Sequence, residues 1–161
     1  MTNGPFTIRT THDGDRDEIF TLLNGDGTNH PPEDDHRHPS RIADTIIATS
    51  FDPASKSRCW LAIADNKAVG IITTRDLGGG VTVRDDYQGR GIGKALVSAR
   101  EEFFRDNLDQ TESRVPLRAD NAKSIALHTS LGYQFDQASK DLLKTNPPGH
   151  TVVEMVKNLS R

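Results

Sequence analysis

The sequence predicts an α/β domain in which helices are interleaved with strands. Residues 59–74 contain two apolar, strand-like runs separated by a short polar turn, which is typical of a hairpin. A glycine-rich stretch then follows a third short strand and runs directly into a strongly amphipathic helix. Helical and strand-like patterns alternate toward the end of the chain. Because 161 residues suffice for one domain, the range 1–161 is interpreted as a single domain.

The predicted order of elements is β-α-α-β-β-β-α-β-α-β-β. In chain order, the predicted elements are a strand at 6–10, helices at 15–24 and 41–49, strands at 59–64, 68–74 and 81–83, a helix beginning within 88–93, a strand at 115–118, a helix at 121–131, and strands at 133–143 and 151–159.

Capping residues place the first two helices. Asp15 is a candidate N-cap with Glu18 at the capping-box position, and Ser40 is the candidate N-cap of the second helix. Between these helices, residues 24–40 carry almost no apolar content. This stretch is too long for a simple connector in a compact domain, so we expect a long loop.

Apolar runs and turn residues place the later elements. Residues 59–64 form a continuous apolar run, as in a buried strand, and 65–67 supply the turn to its partner. Cys59 and Trp60 are therefore expected in the core. Gly132 ends the helix that opens at residue 121, and residues 147–149, Pro-Pro-Gly, separate the two final strands.

Composition excludes several classes of function. The net charge of −3 argues against the concentrated basic face of a nucleic-acid-binding protein. No apolar run approaches the roughly 18 residues that a membrane span needs, and the first residues show no signal-peptide pattern. The single cysteine, Cys59, excludes an internal disulfide and a Cys-based zinc site. We therefore expect a cytoplasmic protein without nucleic-acid or membrane partners. Its oligomeric state stays open, with a homodimer as one alternative.

The most informative stretch is 81–94, which reads Val-Thr-Val-Arg-Asp-Asp-Tyr-Gln-Gly-Arg-Gly-Ile-Gly-Lys. A strand ends there, glycines follow, and a helix starts. The first turn of a helix has unpaired backbone N–H groups and a partial positive charge, so it attracts anions. Glycines let this backbone approach a phosphate or pyrophosphate closely. Arg90 and Lys94 add positive charge beside it.

Two common phosphate-binding motifs do not fit this stretch. A Walker A loop is excluded by Gln88 at its first glycine position and by Ala95 where Ser or Thr would bind magnesium. Rossmann fingerprints that start at Gly89 or Gly91 lack their last glycine. The remaining Gln-x-x-Gly-x-Gly pattern resembles the acyl-CoA pyrophosphate loop of the GCN5-related N-acetyltransferase (GNAT) superfamily. A glycine-rich connection without a ligand is the structural alternative.

A second stretch, residues 121–133, supports the same resemblance. It reads Asn-Ala-Lys-Ser-Ile-Ala-Leu-His-Thr-Ser-Leu-Gly-Tyr. This is similar to the second GNAT signature, in which Asn opens a helix and Leu-Gly-aromatic closes it. The resemblance implies the GNAT fold, a mixed, mostly antiparallel central sheet flanked by helices. It also implies transfer of an acetyl group from acetyl-CoA to a primary amine in a ternary complex, without a metal.

The resemblance further assigns residues to the cofactor site. The backbone of strand 81–83 would bind the pantetheine amides, and Val83 would also stabilise the oxyanion. The glycine loop would bind the pyrophosphate, and Asn121 would contact the cofactor arm or the sheet edge. The residues implied to bind acetyl-CoA are Val81, Thr82, Val83, Gln88, Gly89, Arg90, Gly91, Ile92, Gly93, Lys94 and Asn121.

His128 is the candidate catalytic residue. The family commonly has a tyrosine at this position, which acts as general acid to the departing thiolate. The histidine here departs from that pattern but retains usable proton chemistry. Helical spacing with Ser124 and Leu131 places His128 on the apolar side of its helix. From the helix alone, a core histidine with a satisfied hydrogen bond is the alternative, and both interpretations stay open.

The sequence does not locate a general base. The strands before the two motifs carry no obvious carboxylate, and Asp76, Asp85 and Asp86 are the nearest candidates. A chain of water molecules is an equal alternative.

The loop 24–40 falls where the family lines its acceptor pocket. It is either an anionic lid that attracts a cationic amine or a solvated loop. Two of its histidines, His36 and His38, lack a third spaced ligand, so no metal site is predicted. The ionisable residues at issue are Asp26, His30, Glu33, Asp34, Asp35, His36 and His38.

The acceptor is expected to be a small-molecule or peptide amine. A non-catalytic acyl-CoA-binding or regulatory domain on the same fold is the alternative function.

Overall fold

The computed structural model describes residues 5–24, 38–50, 58–74 and 81–160. The strands and α-helices in chain order are β1 (Thr7–Thr10), α1 (Arg16–Asn24), α2 (Pro39–Ser50), β2 (Cys59–Ala64), β3 (Lys67–Thr73), β4 (Val81–Val83), α3 (Ile92–Asn107), β5 (Glu112–Arg118), α4 (Ala122–Ser130), β6 (Gln134–Phe135), α5 (Gln137–Leu143) and β7 (Val152–Asn158). Two short 3₁₀ helices, Asp13–Asp15 and Asp85–Tyr87, precede α1 and α3.

The chain divides into two compact units, Met1–Arg100 and Glu101–Arg161, so that the division falls within α3. In the first unit, strands β1 to β4 form an antiparallel sheet in that spatial order. In the second unit, β7 pairs with both β5 and β6, again antiparallel. The predicted α/β class with antiparallel strands and flanking helices is confirmed. Among the described residues, no helix is long and apolar enough to cross a membrane.

The core of the first unit forms where α1 and α2 pack on the sheet. Ile42 and Ile46 of α2 are buried, as the helical spacing requires for an inward face. Cys59 is also buried, at 1% exposure, and burial raises the pKa of its thiol to about 12. The prediction that Cys59 belongs to the core is therefore confirmed. The buried members of this cluster are Ile19, Leu22, Ile42, Ala43, Ile46, Cys59, Leu61, Ala68 and Ile71.

The helix caps in the first unit differ from the prediction. Asp15 is not the N-cap. His12 caps the preceding 3₁₀ helix by accepting from the Gly14 N–H at Nδ1 (3.2 Å), and Asp15 accepts from the His12 N–H (2.8 Å) to complete a capping box. Ser40 likewise lies inside α2, and its N–H donates to His38 Nδ1 (3.2 Å). An imidazole nitrogen thus takes the acceptor role that we assigned to a carboxylate and a hydroxyl.

The second unit corrects one predicted strand. Only Gln134–Phe135 of the predicted 133–143 strand pairs with β7. Asp136 then accepts from the Ser139 N–H (2.8 Å) and caps α5. This cap ends the strand, because a side-chain acceptor for an early helical N–H favours helix initiation. The final predicted strand is confirmed as β7.

The predicted end of α4 at Gly132 is confirmed in detail. Gly132 adopts φ +96°, and its N–H donates to Thr129 O (3.1 Å). The N–H of Tyr133 donates to His128 O (3.0 Å). This pair of bonds is the Schellman motif, which needs a residue that tolerates positive φ. The motif turns the chain back so that Tyr133 reaches His128.

Candidate functional site

Strand β4 is the outer strand of the first sheet, since it pairs only with β3 among the described strands. The Arg84 N–H donates to Val69 O on β3 (2.8 Å). Hydrogen bonding alternates along an antiparallel ladder, so Thr82, two residues earlier, also directs its backbone groups toward β3. The backbone groups of Val81 and Val83 face the other way, toward the free edge. That edge offers donors and acceptors to an extended ligand.

The glycine turn leaves an open cradle beside the first turn of α3. Gly89 and Gly91 adopt φ +79° and +84°, which L side chains rarely adopt. A Cβ added to either residue would meet no atom of the described residues within 4 Å, apart from those of its chain neighbours. The first bond of α3 runs from the Ala95 N–H to Gly91 O (3.0 Å), so the N–H groups of Ile92, Gly93 and Lys94 have no acceptor within the helix. Space and donors together fit a pyrophosphate group.

Hydrogen bonds from Gln88 stabilise this turn. Its Nε2 donates to Val83 O and to Asp85 Oδ1, both at 3.2 Å, and its backbone N–H approaches Asp85 O at 3.4 Å. These bonds attach the turn to the end of β4. The side chain of Gln88 therefore holds the loop in shape, which is a different contribution from direct contact with a ligand.

Arg90 and Lys94 supply the positive charge expected at this site. The Arg90 guanidinium lies over the Tyr87 ring, with Cζ 4.6 Å from the ring centroid, and Nη2 donates to Asp86 O (3.3 Å). Lys94 is exposed on the first turn of α3. Our sequence reasoning missed Tyr87, although an aromatic residue directly before the Gln-x-x-Gly-x-Gly pattern was a visible signal.

Gly70 on β3 is a second residue that the sequence reasoning missed. A Cβ at Gly70 would lie 3.0 Å from Leu96 Cδ1 and 3.1 Å from Ile92 Cγ2. Both contacts belong to the first two turns of α3. The lack of a side chain at Gly70 therefore lets the start of that helix pack closely against the sheet. A glycine inside an otherwise apolar strand signals such a close approach.

His128 lies in the second unit and is 1% exposed. Its Nδ1 is 2.7 Å from Ser124 O, and a carbonyl oxygen only accepts, so Nδ1 carries a hydrogen. Proton exchange is thereby limited to Nε2. A neutral His128 accepts there, and only the imidazolium donates. The Tyr133 ring packs edge-on against the imidazole, with centroids 5.1 Å apart at 88°.

Asn121 is the N-cap of α4, as its place in the second motif predicts. Its Oδ1 accepts from the Ser124 N–H (3.2 Å), and the residue is exposed. The side-chain oxygen is therefore assigned to capping, and the Nδ2 amide group is the part that remains for a ligand.

The candidate general bases and the ionisable residues of the loop 24–40 are only partly within the residues that the structure describes. Asp85 and Asp86 are exposed, and Asp85 accepts from Gln88. Asp76 and the ionisable residues of 25–37 lie outside the described residues, while His38 caps α2. Within the described ranges, no three His, Cys, Asp or Glu side chains are grouped to hold a metal ion. Residues 81–94 thus form one local site in the first unit, and Asn121 and His128 lie in the second.

Comparison with known proteins identifies the class to which this fold and this loop belong. The sequence model of the acetyltransferase (GNAT) family matches residues 17–133. The chain is a member of the GNAT acetyltransferase family. A search of curated protein sequences gives no match.

Solved structures of similar fold include proteins described with coenzyme A or acetyl-CoA. PaiA N-acetyltransferase from Thermoplasma acidophilum, in complex with coenzyme A, has a TM-score of 0.69 at 15% identity, covering 96% of this chain and 99% of that one. YncA from Salmonella typhimurium, with its cofactor acetyl-CoA, has a TM-score of 0.68 at 18% identity, covering 98% and 95%. A mutant of the spermidine N-acetyltransferase SpeG from Vibrio cholerae has a TM-score of 0.66 at 15% identity, covering 96% and 94%. At these identities, the likeness establishes the fold.

Proposed function

We propose that the protein is an N-acetyltransferase that moves an acetyl group from acetyl-CoA directly to a primary amine in a ternary complex. The observation that carries this proposal is the open cradle at Gly89 and Gly91, placed at the start of α3 and after the free edge of β4. Family membership supplies the reaction class, and the cradle supplies the local chemistry for an acyl-CoA.

The backbone of the first unit holds the cosubstrate in this proposal. Val81 offers its outward N–H and C=O groups to the pantetheine amides. The backbone of Thr82 is committed to β3, and Val83 O accepts from Gln88 Nε2, so Val83 contributes only its N–H. The N–H groups at the start of α3 bind the pyrophosphate, and Arg90 and Lys94 neutralise its charge. Acetyl-CoA then supplies the acyl group as a reactive thioester.

His128 protonates the departing sulfur in this proposal. The amine nitrogen forms a bond to the thioester carbonyl carbon, the C–S bond breaks, the nitrogen loses a proton, and the sulfur gains one. The Val83 N–H stabilises the developing oxyanion. His128 in its imidazolium form gives a proton from Nε2, because Nδ1–H is held by Ser124 O. Water carries the proton away from the amine, since β4 carries no carboxylate and the carboxylate of β5, Glu112, accepts from Arg114 Nε (2.6 Å).

The acceptor is a small-molecule or peptide amine. A relative of the same fold is named for acting on spermidine, so polyamines belong in the first panel of acceptors. Residues 24–40 carry an excess of carboxylates over fixed positive charges. That excess favours a cationic acceptor.

The testing experiment combines calorimetry and a coupled thiol-release assay. We expect the wild-type chain to bind CoA, and acetyl-CoA to release CoA faster when the correct amine is present. Amines to be compared are polyamines, amino acids, aminoglycosides and peptides with a free N-terminus or lysine. CoA binding without acceleration by any amine would favour the alternative, a non-catalytic acyl-CoA-binding domain. ATP binding without CoA binding would overturn both.

A further inference from the structure

The turn between β2 and β3 makes direct contact with the residue that precedes the glycine loop. Asp65 and Asn66 both adopt left-handed conformations, with φ 52° and 61°, as a tight two-residue hairpin turn requires. The hydroxyl of Tyr87 donates to Asp65 Oδ2, across 22 positions in sequence. This bond attaches the 3₁₀ helix Asp85–Tyr87 to the hairpin.

Two cationic side chains lie over the Tyr87 ring. The Arg90 Cζ lies 4.6 Å from the ring centroid and the Lys67 Nζ lies 5.4 Å from it, both within the range of a cation–π contact. Tyr87 is 6% exposed, so its ring is held firmly by its surroundings. The hydrogen bond to the Asp65 carboxylate polarises the phenol, which makes the ring a better partner for cations. The same hydrogen bond raises the pKa of Tyr87, so the phenol stays neutral.

Arg90 gains a defined orientation from these contacts. Its guanidinium rests on the ring and its Nη2 donates to Asp86 O (3.3 Å), so two separate contacts restrict a side chain that is otherwise flexible. An arginine that is ordered before binding loses less conformational entropy when it meets a phosphate.

We propose that Tyr87 is a positioning residue of the pyrophosphate site, which orients the Arg90 guanidinium through its ring and is itself fixed to the β2–β3 turn through Asp65. This inference rests on the proposed function, because it assumes that the loop binds the phosphates of CoA. It adds a part of the chain, the hairpin turn, to the residues on which cofactor affinity depends.

A double-mutant cycle tests the inference, with CoA as the probe and calorimetry as the readout. We expect Arg90→Gln to weaken CoA binding about tenfold and Tyr87→Leu to weaken it by a similar factor. In the Tyr87→Leu background, Arg90→Gln should weaken CoA binding by less than about a further twofold, because the orientation of Arg90 is already lost. Tyr87→Phe keeps the ring and should bind within about threefold of wild type. Arg16→Gln removes the same charge from an exposed pair with Asp44 and controls for net charge.

The outcomes separate the inference from the proposed function. If wild type does not bind CoA, the proposed function fails and the inference fails with it. If wild type binds CoA but Arg90→Gln costs the same factor in both backgrounds, only the inference is wrong. A positioning role also predicts a raised KM for acetyl-CoA with kcat unchanged in Tyr87→Leu.

A second pair of variants keeps the test decisive if Tyr87→Leu does not fold. Tyr87→Phe and Asp65→Gly each remove the same hydrogen bond, and glycine tolerates the left-handed conformation of residue 65. Both should weaken CoA binding by the same two- to threefold factor, and their combination should weaken it no further. Additive losses, or wild-type affinity in a folded Asp65→Gly protein, would contradict the proposed attachment.

Discussion

Gly91 is the residue whose conformation matters most to the proposed pyrophosphate site. It adopts φ +84°, and a Cβ there would lie in open space among the described residues. A side chain there would strain the backbone and also occupy the space next to the helix N-terminus. Backbone strain and occupation of the space can be separated by substitution with Asn. Asn tolerates the left-handed region better than a β-branched residue does, but its side chain still fills the space.

Gly91→Val should weaken CoA binding at least tenfold, about 1.4 kcal/mol, in a protein that still folds. Calorimetry with CoA measures the affinity and thermal unfolding measures the stability. Gly91→Asn is the matched variant. It should restore most of the lost stability and still bind CoA weakly, because its side chain fills the cradle. Wild-type affinity in a folded Gly91→Val protein would contradict the assignment of the loop to the pyrophosphate.

His128→Phe should lower turnover by roughly 10²-fold, near the lower end for a general acid, and change CoA affinity little. The substitution removes the side-chain hydrogen bond from Nδ1 to Ser124 O, so about 0.5–1.5 kcal/mol of stability is also expected to be lost. Steady-state assays at a temperature well below the unfolding midpoint separate these effects. Unchanged turnover would make His128 a packing residue and transfer leaving-group protonation to water.

At the scale of elements, the turn before α1 is fixed by a contact with the first strand. Arg9 of β1 donates twice to Asp15 (2.8 and 2.9 Å), which joins the first strand to the turn before α1. Asp15 is only 3% exposed. The hydrogen bonds from Arg9 hold the pKa of the Asp15 carboxyl below its usual range. Folding therefore depends on the ionised form of this carboxyl.

The Asp15 contribution to stability should disappear at low pH. A carboxyl whose pKa is lower in the folded state stabilises the fold fully above its unfolded pKa, about 3.9. The contribution is lost as pH falls through the folded pKa. Asp15→Asn should cost about 1–3 kcal/mol at pH 7 and flatten the acid side of the stability profile, as measured by urea unfolding. Asp13→Asn, an exposed control in the same 3₁₀ helix, should change stability by less than about 0.5 kcal/mol. Equal losses in both variants would refute the role of Asp15.

Gly70→Ala should disturb the seating of α3 on β3. The new Cβ would approach Ile92 and Leu96 at 3.1 and 3.0 Å and Thr82 O at 3.3 Å, so the helix start must shift by a few tenths of an ångström. Overpacking of this kind costs about 1–3 kcal/mol. CoA affinity should fall as well, because the N–H groups of the cradle move with the helix. Thermal unfolding and calorimetry check the two effects, and unchanged values in both would show that the contact relaxes freely.

At the scale of the whole molecule, charge is distributed unevenly along the chain. The net charge is −3, yet residues 81–94 carry Arg84, Arg90 and Lys94 against Asp85 and Asp86, a net charge of +1. Residues 24–40 instead carry Asp26, Glu33, Asp34 and Asp35 with Arg37 and no lysine. An anionic cosubstrate and a cationic acceptor would thus each meet the opposite charge.

Replacing Glu33, Asp34 and Asp35 with their amides should raise the KM for the acceptor and leave the KM for acetyl-CoA nearly unchanged. The apparent affinity for the acceptor should also fall as salt rises, since salt screens this attraction over about 8–10 Å. Steady-state kinetics at several ionic strengths provide the measurement. A neutral or anionic acceptor, with kinetics indifferent to salt, would leave the charged loop without a role.

Residues that act through their own backbone conformation were predicted correctly from the sequence. Gly132 ended α4 as expected, because a Schellman motif needs positive φ within a few residues of the helix end. The two-strand hairpin at 59–74 and the strand–glycine–helix order at 81–94 were likewise recognised from local spacing. The strand predicted at 133–143 failed, since the Asp136 cap overrode the apolar pattern.

The sequence by itself therefore determined the class of fold and the position of the glycine turn before α3. Tertiary structure alone decided that the backbone of Thr82 pairs with β3 and that α3 packs closely on β3 at Gly70. It also decided that Tyr87 contacts the Arg90 guanidinium while its hydroxyl is bonded to Asp65. The physical reason is the range of the contacts. A turn or a helix end depends on neighbours a few residues away. The contacts of Thr82 with Ile71, of Gly70 with Ile92 and Leu96, and of Tyr87 with Asp65 instead join positions 11 to 26 apart, which only the folded chain brings within reach.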